Sequence, residues 1–312
     1  MKLTFITILL VLSIFIWGFS GNDKLNDKAS LGKLLFNEKI LSKDSSVSCA
    51  SCHNPDLGFA DTLPFSIGIE GKLTKRNTPS VLNMKNRPYY FWDGRASSLE
   101  EQSLMPIQNP DEMGLPIKEA VFRLNQSSFY KKQFQMVFLS DPNEANLAAA
   151  IAAFENTLET SNSNFDDWSN NKIRLSASEE RGRQVFLSKK AKCFDCHLQE
   201  DFTNDDFKNI GLFDGNNLND SGRFLITRNN NDLGKFKTPG LRNIAITGPY
   251  MHNGIFKKLE EVVDYYNDVK KVVPNTKNLD PSLLKPLGLT QQEKKDLVAF
   301  LKTLTDKRYA KK

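Results

Sequence analysis

Only four cysteines and three histidines occur in these 312 residues, and no cysteine lies outside a pair spaced by two residues. Nothing is left over for a disulfide framework distributed along the chain. No cysteine follows the apolar stretch at the N-terminus, which excludes a bacterial lipoprotein signal. No basic run with interleaved aromatic residues is found, and the formal charge is only +5, which argues against a nucleic-acid partner. Alternating strand patterns are scarce as well, so the fold class is mainly α.

What is there begins with a doublet. Cys49-Ala50-Ser51-Cys52-His53 and Cys193-Phe194-Asp195-Cys196-His197 contain every cysteine and two of the three histidines. A histidine directly after the second cysteine is the attachment signature of a c-type haem. Two thioethers anchor the porphyrin and the histidine ligates the iron. A lone pair of this spacing would also suit a redox disulfide or half of a zinc site. The same pattern twice, with no spare cysteine, points to two covalently bound haem c groups. Cys49, Cys52, Cys193 and Cys196 are then the anchors, and His53 and His197 the proximal iron ligands.

Residues 1–20 read as an export signal: Lys2, an apolar run from Leu3 to Trp17, then Gly18 and Ser20 at the positions a signal peptidase reads. The alternative is an uncleaved N-terminal anchor, because Leu3–Phe19 approaches the length of a short membrane span. Either way the body of the protein is expected outside the cytoplasm, in the periplasm. Cleavage removes Lys2 and lowers the charge from +5 to +4, which the four propionates of two haems would offset. About 290 residues remain, enough for two domains.

The chain also repeats itself. Thr78-Pro79 through Asn83, Pro88-Tyr89, Phe91-Trp92-Asp93-Gly94-Arg95 and Leu99-Glu100-Glu101 are followed later by Thr238-Pro239 through Asn243, Pro249-Tyr250, Met251-His252-Asn253-Gly254 and Leu259-Glu260-Glu261. The offset is constant from Trp92 and His252 onward, since 252 − 92, 254 − 94 and 259 − 99 all equal 160. Each half holds one haem motif and one copy of this turn-plus-helix unit, which argues for internal duplication. Two similar haem domains are expected over residues 22–165 and 176–312. Helices are expected from Leu31 to Phe36, Asn146 to Thr160, Ser178 to Leu187 and Thr290 to Thr303, with a long loop from Asn204 to Phe236.

The repeat lets the distal face of one haem be compared with the other. Leu259, Val262, Val263 and Tyr266 form an i, i+3, i+4, i+7 stripe, and 266 − 160 is Pro106. If that position faces the iron, Tyr266 is a candidate sixth ligand for the C-terminal haem and the N-terminal haem is open, since proline has no donor side chain. The other reading of Tyr266 is an ordinary aromatic of an apolar stripe. With His53 and His197 spent, only His252 remains, so at most one haem could be bis-histidine. An open ferric haem invites a small ligand such as peroxide, whose cleavage needs an acid–base group. No distal histidine is free, so a carboxylate is the natural substitute. Glu112 lies six residues past Pro106, after a bend at Pro106-Ile107-Gln108-Asn109-Pro110, with Asp111 beside it as a competitor.

At these residues the chain resembles the bacterial di-haem cytochrome c peroxidase and MauG family, over almost its whole mature length. The stretches that carry the resemblance are both haem motifs, Arg76-Asn77-Thr78-Pro79-Ser80, Phe91-Trp92-Asp93-Gly94-Arg95, Leu99-Glu100-Glu101-Gln102, Gln108-Asn109-Pro110-Asp111-Glu112-Met113 and Pro249-Tyr250-Met251-His252-Asn253-Gly254. The resemblance implies two cytochrome c-like helical domains, a peroxidatic N-terminal haem, an electron-transfer C-terminal haem and a calcium ion between them. It assigns the catalytic glutamate to Glu112, with Gln102 and Pro106 also lining the distal face, and the tryptophan between the haems to Trp92. Calcium falls on the Asn77 side chain and the Thr247 and Pro249 carbonyls, a hard oxygen donor set. His252 falls on a histidine of the electron path rather than an iron ligand.

Two departures stand out. Many relatives carry a removable distal histidine eight residues before the calcium-binding asparagine; here that position is Ile69. Many also carry a methionine fourteen residues after the histidine matching His252; here it is Tyr266, as in the MauG branch. The resulting expectation is a periplasmic peroxidase that reduces hydrogen peroxide to water with electrons from a small cytochrome c or cupredoxin, passed through Trp92. The alternatives are a MauG-like oxidase that modifies residues of a partner protein and a non-enzymatic di-haem electron carrier. The chain leaves room for a homodimer.

Overall fold

A glycine in each half fixes how the first helix of that half crosses the last. A Cβ on Gly32 would lie 1.9 Å from the Ala150 carbonyl oxygen and 2.8 Å from the Phe154 Cβ. A Cβ on Gly182 would lie 1.9 Å from the Asp296 carbonyl oxygen and 2.9 Å from the Phe300 Cβ. Only glycine lets the two backbones approach this closely. The computed structural model describes residues 27–198 and 200–309; the expected export signal lies outside them. No helix among the described residues is long and apolar enough to cross a membrane.

The first half contains α1 (Lys28–Phe36), α2 (Cys49–Cys52), α3 (Leu99–Gln108), α4 (Ile117–Gln126), α5 (Ser128–Phe138) and α6 (Glu144–Glu155). After α7 (Asn164–Ser169), the second half contains α8 (Ala177–Phe186), α9 (Phe224–Thr227), α10 (Leu259–Asn267), α11 (Val269–Val272) and α12 (Gln291–Lys302). The architecture is mainly helical; one antiparallel pair, β1 (Phe207–Lys208) with β2 (Phe236–Lys237), lies within the long loop of the second half. The caps are legible. Ser176 and Thr290 open α8 and α12 with reciprocal bonds to Glu179 and Glu293. The alanine-rich helix differs from expectation, running 144–155 rather than 146–160. Asn143 caps it two residues earlier, and the chain leaves it at Asn156 to send Leu158 and Thr160 across to Asn83.

α1 packs on α6 and α8 on α12, each pair through phenylalanines: Phe36 with Phe154 at 5.2 Å and Phe186 with Phe300 at 5.3 Å. Two apolar cores result, one around Leu31, Leu35, Ile107, Phe134 and Ile151, the other around Leu259, Val263, Tyr265, Leu297 and Phe300. Phe165 lies against the second core and Tyr309 against the first, so the two ends of the domain ranges cross over.

The turn-plus-helix unit has the same backbone in both halves. Left-handed residues recur at Asn83 and Asn243, Phe91 and Met251, and Gly94 and Gly254. The Tyr90 amide donates to the Ala96 carbonyl at 2.9 Å and its hydroxyl to the Met84 carbonyl at 3.1 Å. The Tyr250 amide donates to the Phe256 carbonyl and its hydroxyl to the Ile244 carbonyl, both at 2.8 Å. Ion pairs then tie the halves together. Arg76 reaches Asp220 at 2.7 Å and Asp93 at 2.6 Å, and Arg87 meets both Asp201 and Asp205.

Candidate functional site

Each histidine of the two motifs is oriented by a carbonyl held in an unusual conformation. His53 Nδ1 lies 3.1 Å from the Phe59 carbonyl oxygen and His197 Nδ1 lies 2.9 Å from that of Phe202. A carbonyl only accepts, so Nδ1 carries the proton and Nε2 presents its lone pair. Phe59 and Phe202 both have positive φ, at 54° and 59°, a costly choice for an aromatic residue. Burial lowers the basicity of both imidazoles, which keeps them neutral and ready to ligate. The four cysteines form no disulfide, and burial holds the Cys49 and Cys193 thiols up at about 12. Neutral thiols beside a neutral Nε2 suit thioether attachment and iron ligation.

A cavity of about 270 Å³ opens beside the second motif. Cys193, Cys196 and His197 line it together with apolar Val262, Leu297 and Leu301, and Tyr266 faces into it from α10. Thioether anchors, a histidine and an apolar wall fit a porphyrin. Tyr265 sits on another face, wholly buried, with its hydroxyl donating to the Ile210 carbonyl at 2.7 Å. Burial pushes the Tyr266 phenol upward.

The same cavity extends toward the first half, where Asn77, Trp92, Thr247, Pro249 and His252 line it. Asn77 is the node of this region. Its backbone carbonyl accepts from the Trp92 indole at 2.8 Å, and its amide donates to the His252 carbonyl at 2.8 Å. Its side-chain nitrogen donates to the Leu63 and Pro64 carbonyls, which leaves the side-chain oxygen as the available acceptor. His252 stacks on Phe236 at 3.6 Å, and burial lowers it to about 4. No group of three or more His, Cys, Asp or Glu residues that could hold a metal occurs among the described residues.

On the N-terminal side the expected bend starts later than the sequence suggested. α3 continues through Pro106 to Gln108, and the turn begins at Asn109. Pro106 cannot donate to the carbonyl four residues earlier, and the helix ends two residues beyond it. The Pro106 carbonyl accepts from Met113 and the Asn109 carbonyl from Glu112 and Gly114, so the chain folds back sharply. Glu112 is half-buried, and Asn109 Nδ2 donates to its carboxylate at 2.7 Å. Its carbonyl accepts from the buried Ile69 at 2.9 Å, and a Cβ on Gly68 would lie 2.2 Å from the Asp111 carbonyl oxygen. Burial pushes the Glu112 carboxyl above the usual range, while the Arg95 charge and the Asn109 amide pull it back. Its charge acts on both the Cys49 and Cys52 thiols, so it lies on the side of the first haem motif. Asp111 instead turns outward to Lys75 at 3.5 Å. Gln102 leaves its side-chain oxygen buried without a hydrogen-bond partner among the described residues.

Asn109 and Arg95 had no role assigned from sequence. The three-residue spacing of Asn109 and Glu112 is the one local hint of their bond. Arg95 stands in a recognisable motif, but its approach to Glu112 comes from the turn geometry.

The comparisons show the family. A family described as di-haem cytochrome c peroxidase matches residues 26–174. The methylamine utilization protein MauG of Methylorubrum extorquens is 40% identical over 290 residues, covering 91% of this chain and 80% of that protein. The cytochrome c551 peroxidase of Nitrosomonas europaea is 36% identical over 287 residues, covering 89% of this chain and 80% of that one. Among solved structures, a MauG-like protein associated with microbial copper homeostasis superposes with a TM-score of 0.82 at 34% identity, covering 90% of this chain and 89% of that chain. With a haem c attachment motif in each half, this chain belongs to the di-haem cytochrome c peroxidase and MauG family of oxidoreductases.

Proposed function

We propose that the protein is a periplasmic peroxidase that reduces hydrogen peroxide to water, taking two electrons from a small cytochrome c or cupredoxin. Overall, one peroxide, two protons and two electrons give two waters. The observation that carries this reading is Glu112: a half-buried carboxylate on the side of the first haem motif, tethered by Asn109, next to a helix position filled by Pro106. Ile69 and Pro106 offer no iron ligand, which supports an open distal face. When bound, the haems supply an iron site for peroxide and the storage and relay of electrons.

The chain's own part is proton handling and positioning. Glu112 would accept a proton from one oxygen of the peroxide and return it to the other, the general acid–base role. It must be ionised to begin, which the Arg95 charge and the Asn109 amide favour against burial. Gln102 offers its amide toward the same face, and the apolar packing of Ile69 excludes water beside Glu112. Trp92, bonded to Asn77 and lining the cavity next to the second motif, is the bridge for electrons. Neutral His252, stacked on Phe236, supports that path without ligating iron.

Tyr266 is proposed to hold the iron of the C-terminal haem together with His197. Burial makes its phenol reluctant to ionise in the protein alone, and a bound metal charge would favour the phenolate. The Asn77 side-chain oxygen and the Thr247 and Pro249 carbonyls are proposed to hold calcium, which would stiffen the Asn77 node linking Trp92 to His252.

Tyr266 also favours a second reading, a MauG-like oxidase that withdraws electrons from residues of a partner protein. Steady-state assays separate the two. Peroxide-dependent oxidation of a reduced small cytochrome or cupredoxin, abolished by Glu112→Gln, is the result expected of a peroxidase. Peroxide consumption only when a protein substrate is modified would select the other reading, and no turnover at all would leave an electron carrier.

A further inference from the structure

Glu155 closes α6, is 3% exposed, and leaves its Oε2 without a hydrogen-bond partner among the described residues. A carboxylate in such surroundings loses its hydration with no compensation, so the neutral acid is favoured. Burial pushes it up to about 8, with the Glu100 charge adding to the effect.

Two observations put this group beside the N-terminal haem. The first is the correspondence between α6 and α12. Gly32 meets Ala150 and Phe154 as Gly182 meets Asp296 and Phe300, an offset of 146 between the two last helices (296 − 150 and 300 − 154). The same offset takes Ile151 to Leu297 and Glu155 to Leu301, and both leucines line the cavity of the second haem motif. The second is electrostatic: Glu155 is the largest charge acting on the Cys49 thiol, ahead of Cys52. An acid therefore stands in the first half where the second half has a haem-facing leucine.

Its neighbours supply no counter-charge. α1 turns Leu31, Gly32, Leu35 and Phe36 inward and leaves Lys28 and Lys33 exposed. α3 contributes Glu100 and Glu101, both exposed carboxylates. α4 leaves Lys118 and Glu119 exposed, and its Arg123 is spent on the carbonyls of Ile40, Ser42 and Lys43. Tyr90 donates its hydroxyl to Met84, and Cys49 is the haem anchor.

We propose that Glu155 is a redox-linked proton site of the N-terminal haem, binding one proton when that haem gains one electron and releasing it when the electron leaves. The electron comes from the redox donor and the proton from solvent; the O–H bond of the carboxyl is the only bond made or broken. An added electron nearby raises the proton affinity of an unpaired carboxylate, so the two uptakes reinforce each other. The proposal rests on haem attachment at Cys49 and Cys52 and not on the choice of peroxide as substrate.

The test is a redox titration of the holoprotein from about pH 6 to about pH 10, a span that brackets a carboxyl shifted upward by burial. The two haems are followed by their separate optical and resonance signals. Above about pH 8 the N-terminal potential should fall by about 59 mV for each tenfold drop in proton activity, a one-electron, one-proton slope. Glu155→Gln and Glu155→Leu should remove that slope and hold the potential at its acid-side value, with both haems attached. Glu112→Gln should keep the slope, which separates this group from the acid–base residue. Redox-difference infrared spectra of the wild type should show a protonated-carboxyl band that grows on reduction. A slope that survives both Glu155 substitutions overturns the proposal. If those variants fail to attach haem, a flat profile or a missing carboxyl band in wild type and Glu112→Gln overturns it equally. Failure to turn over peroxide would contradict the peroxidase reading and leave the slope measurable.

Discussion

The two halves share a frame and differ on the face it presents to each haem. Both cross their first and last helices through a glycine, orient a histidine with a left-handed phenylalanine carbonyl, and repeat the same turn at an offset of 160. Against that frame the first half has Pro106 and Glu155 where the second has Tyr266 and Leu301. The first half pairs a helix position that cannot ligate with two acids, the half-buried Glu112 and the buried Glu155. The second lines its cavity with Val262, Leu297, Leu301 and the Tyr266 phenol, with Lys192, Lys208 and Asp280 also in its wall. Attachment is thus a property of the repeated frame, and the division of labour rests on a few positions within it. The halves are not independent, because Asn77 and Trp92 of the first line the cavity of the second.

The largest effect that would break this comparison is expected at Glu112. Glu112→Gln should slow the reaction with peroxide by about 10²–10⁴, the usual worth of general acid–base catalysis. Stopped-flow mixing measures it. Asp111→Asn, whose side chain turns to Lys75, should have little effect. A wild-type rate in Glu112→Gln would move the proton path to water or another residue.

The shared frame is tested by stability. Gly32→Ala and Gly182→Ala should each destabilise their half by about 3 kcal/mol or more, since the new methyl meets a backbone carbonyl that cannot move aside. Calorimetry or denaturant unfolding reads the loss. If one position tolerates alanine and the other does not, the two helix crossings are not equivalent.

Tyr266→Phe should change the low-spin spectrum of the C-terminal haem and raise its potential. Tyr265→Phe should leave the spectrum unchanged and cost about 1–3 kcal/mol for the unpaired Ile210 carbonyl. The reverse pattern would shift the helical register by one residue.

The smallest effect is a displaced pH profile. Because burial raises Glu112, its carboxylate is lost as pH falls through a value above the ordinary carboxylate range, and the peroxide rate should fall with it. Removing the opposing charge with Arg95→Gln should move that acid limb to higher pH. A limb that stays in position means Arg95 does not act on Glu112.

Much of this was legible in the sequence because covalent chemistry and repetition leave marks at short range. The two haem motifs and the 160-residue offset need no knowledge of distant contacts. The turn starts at Asn109 and not at Pro106, because the helix runs two residues past the proline before the Asn109 and Pro106 carbonyls draw the chain back. The alanine-rich helix was drawn too long because nothing local marks Asn156 as its end; Leu158 and Thr160 are drawn off by Asn83, more than 70 residues away in sequence. Arg76 with Asp220, the Arg95 charge at Glu112 and the burial of Glu155 are likewise long-range consequences of packing. The 160 offset of the turn unit also hides the 146 offset of the last helices, so Glu155 has no partner in a single alignment of the halves.

The central claim is that one haem is open and the other closed by tyrosine. Electron paramagnetic resonance of the resting diferric holoprotein, without prior reduction, tests it most directly. An axial high-spin signal from the N-terminal haem, together with a low-spin signal that Tyr266→Phe alters, is the predicted result. Two low-spin haems, one of which opens only on partial reduction, would contradict the account.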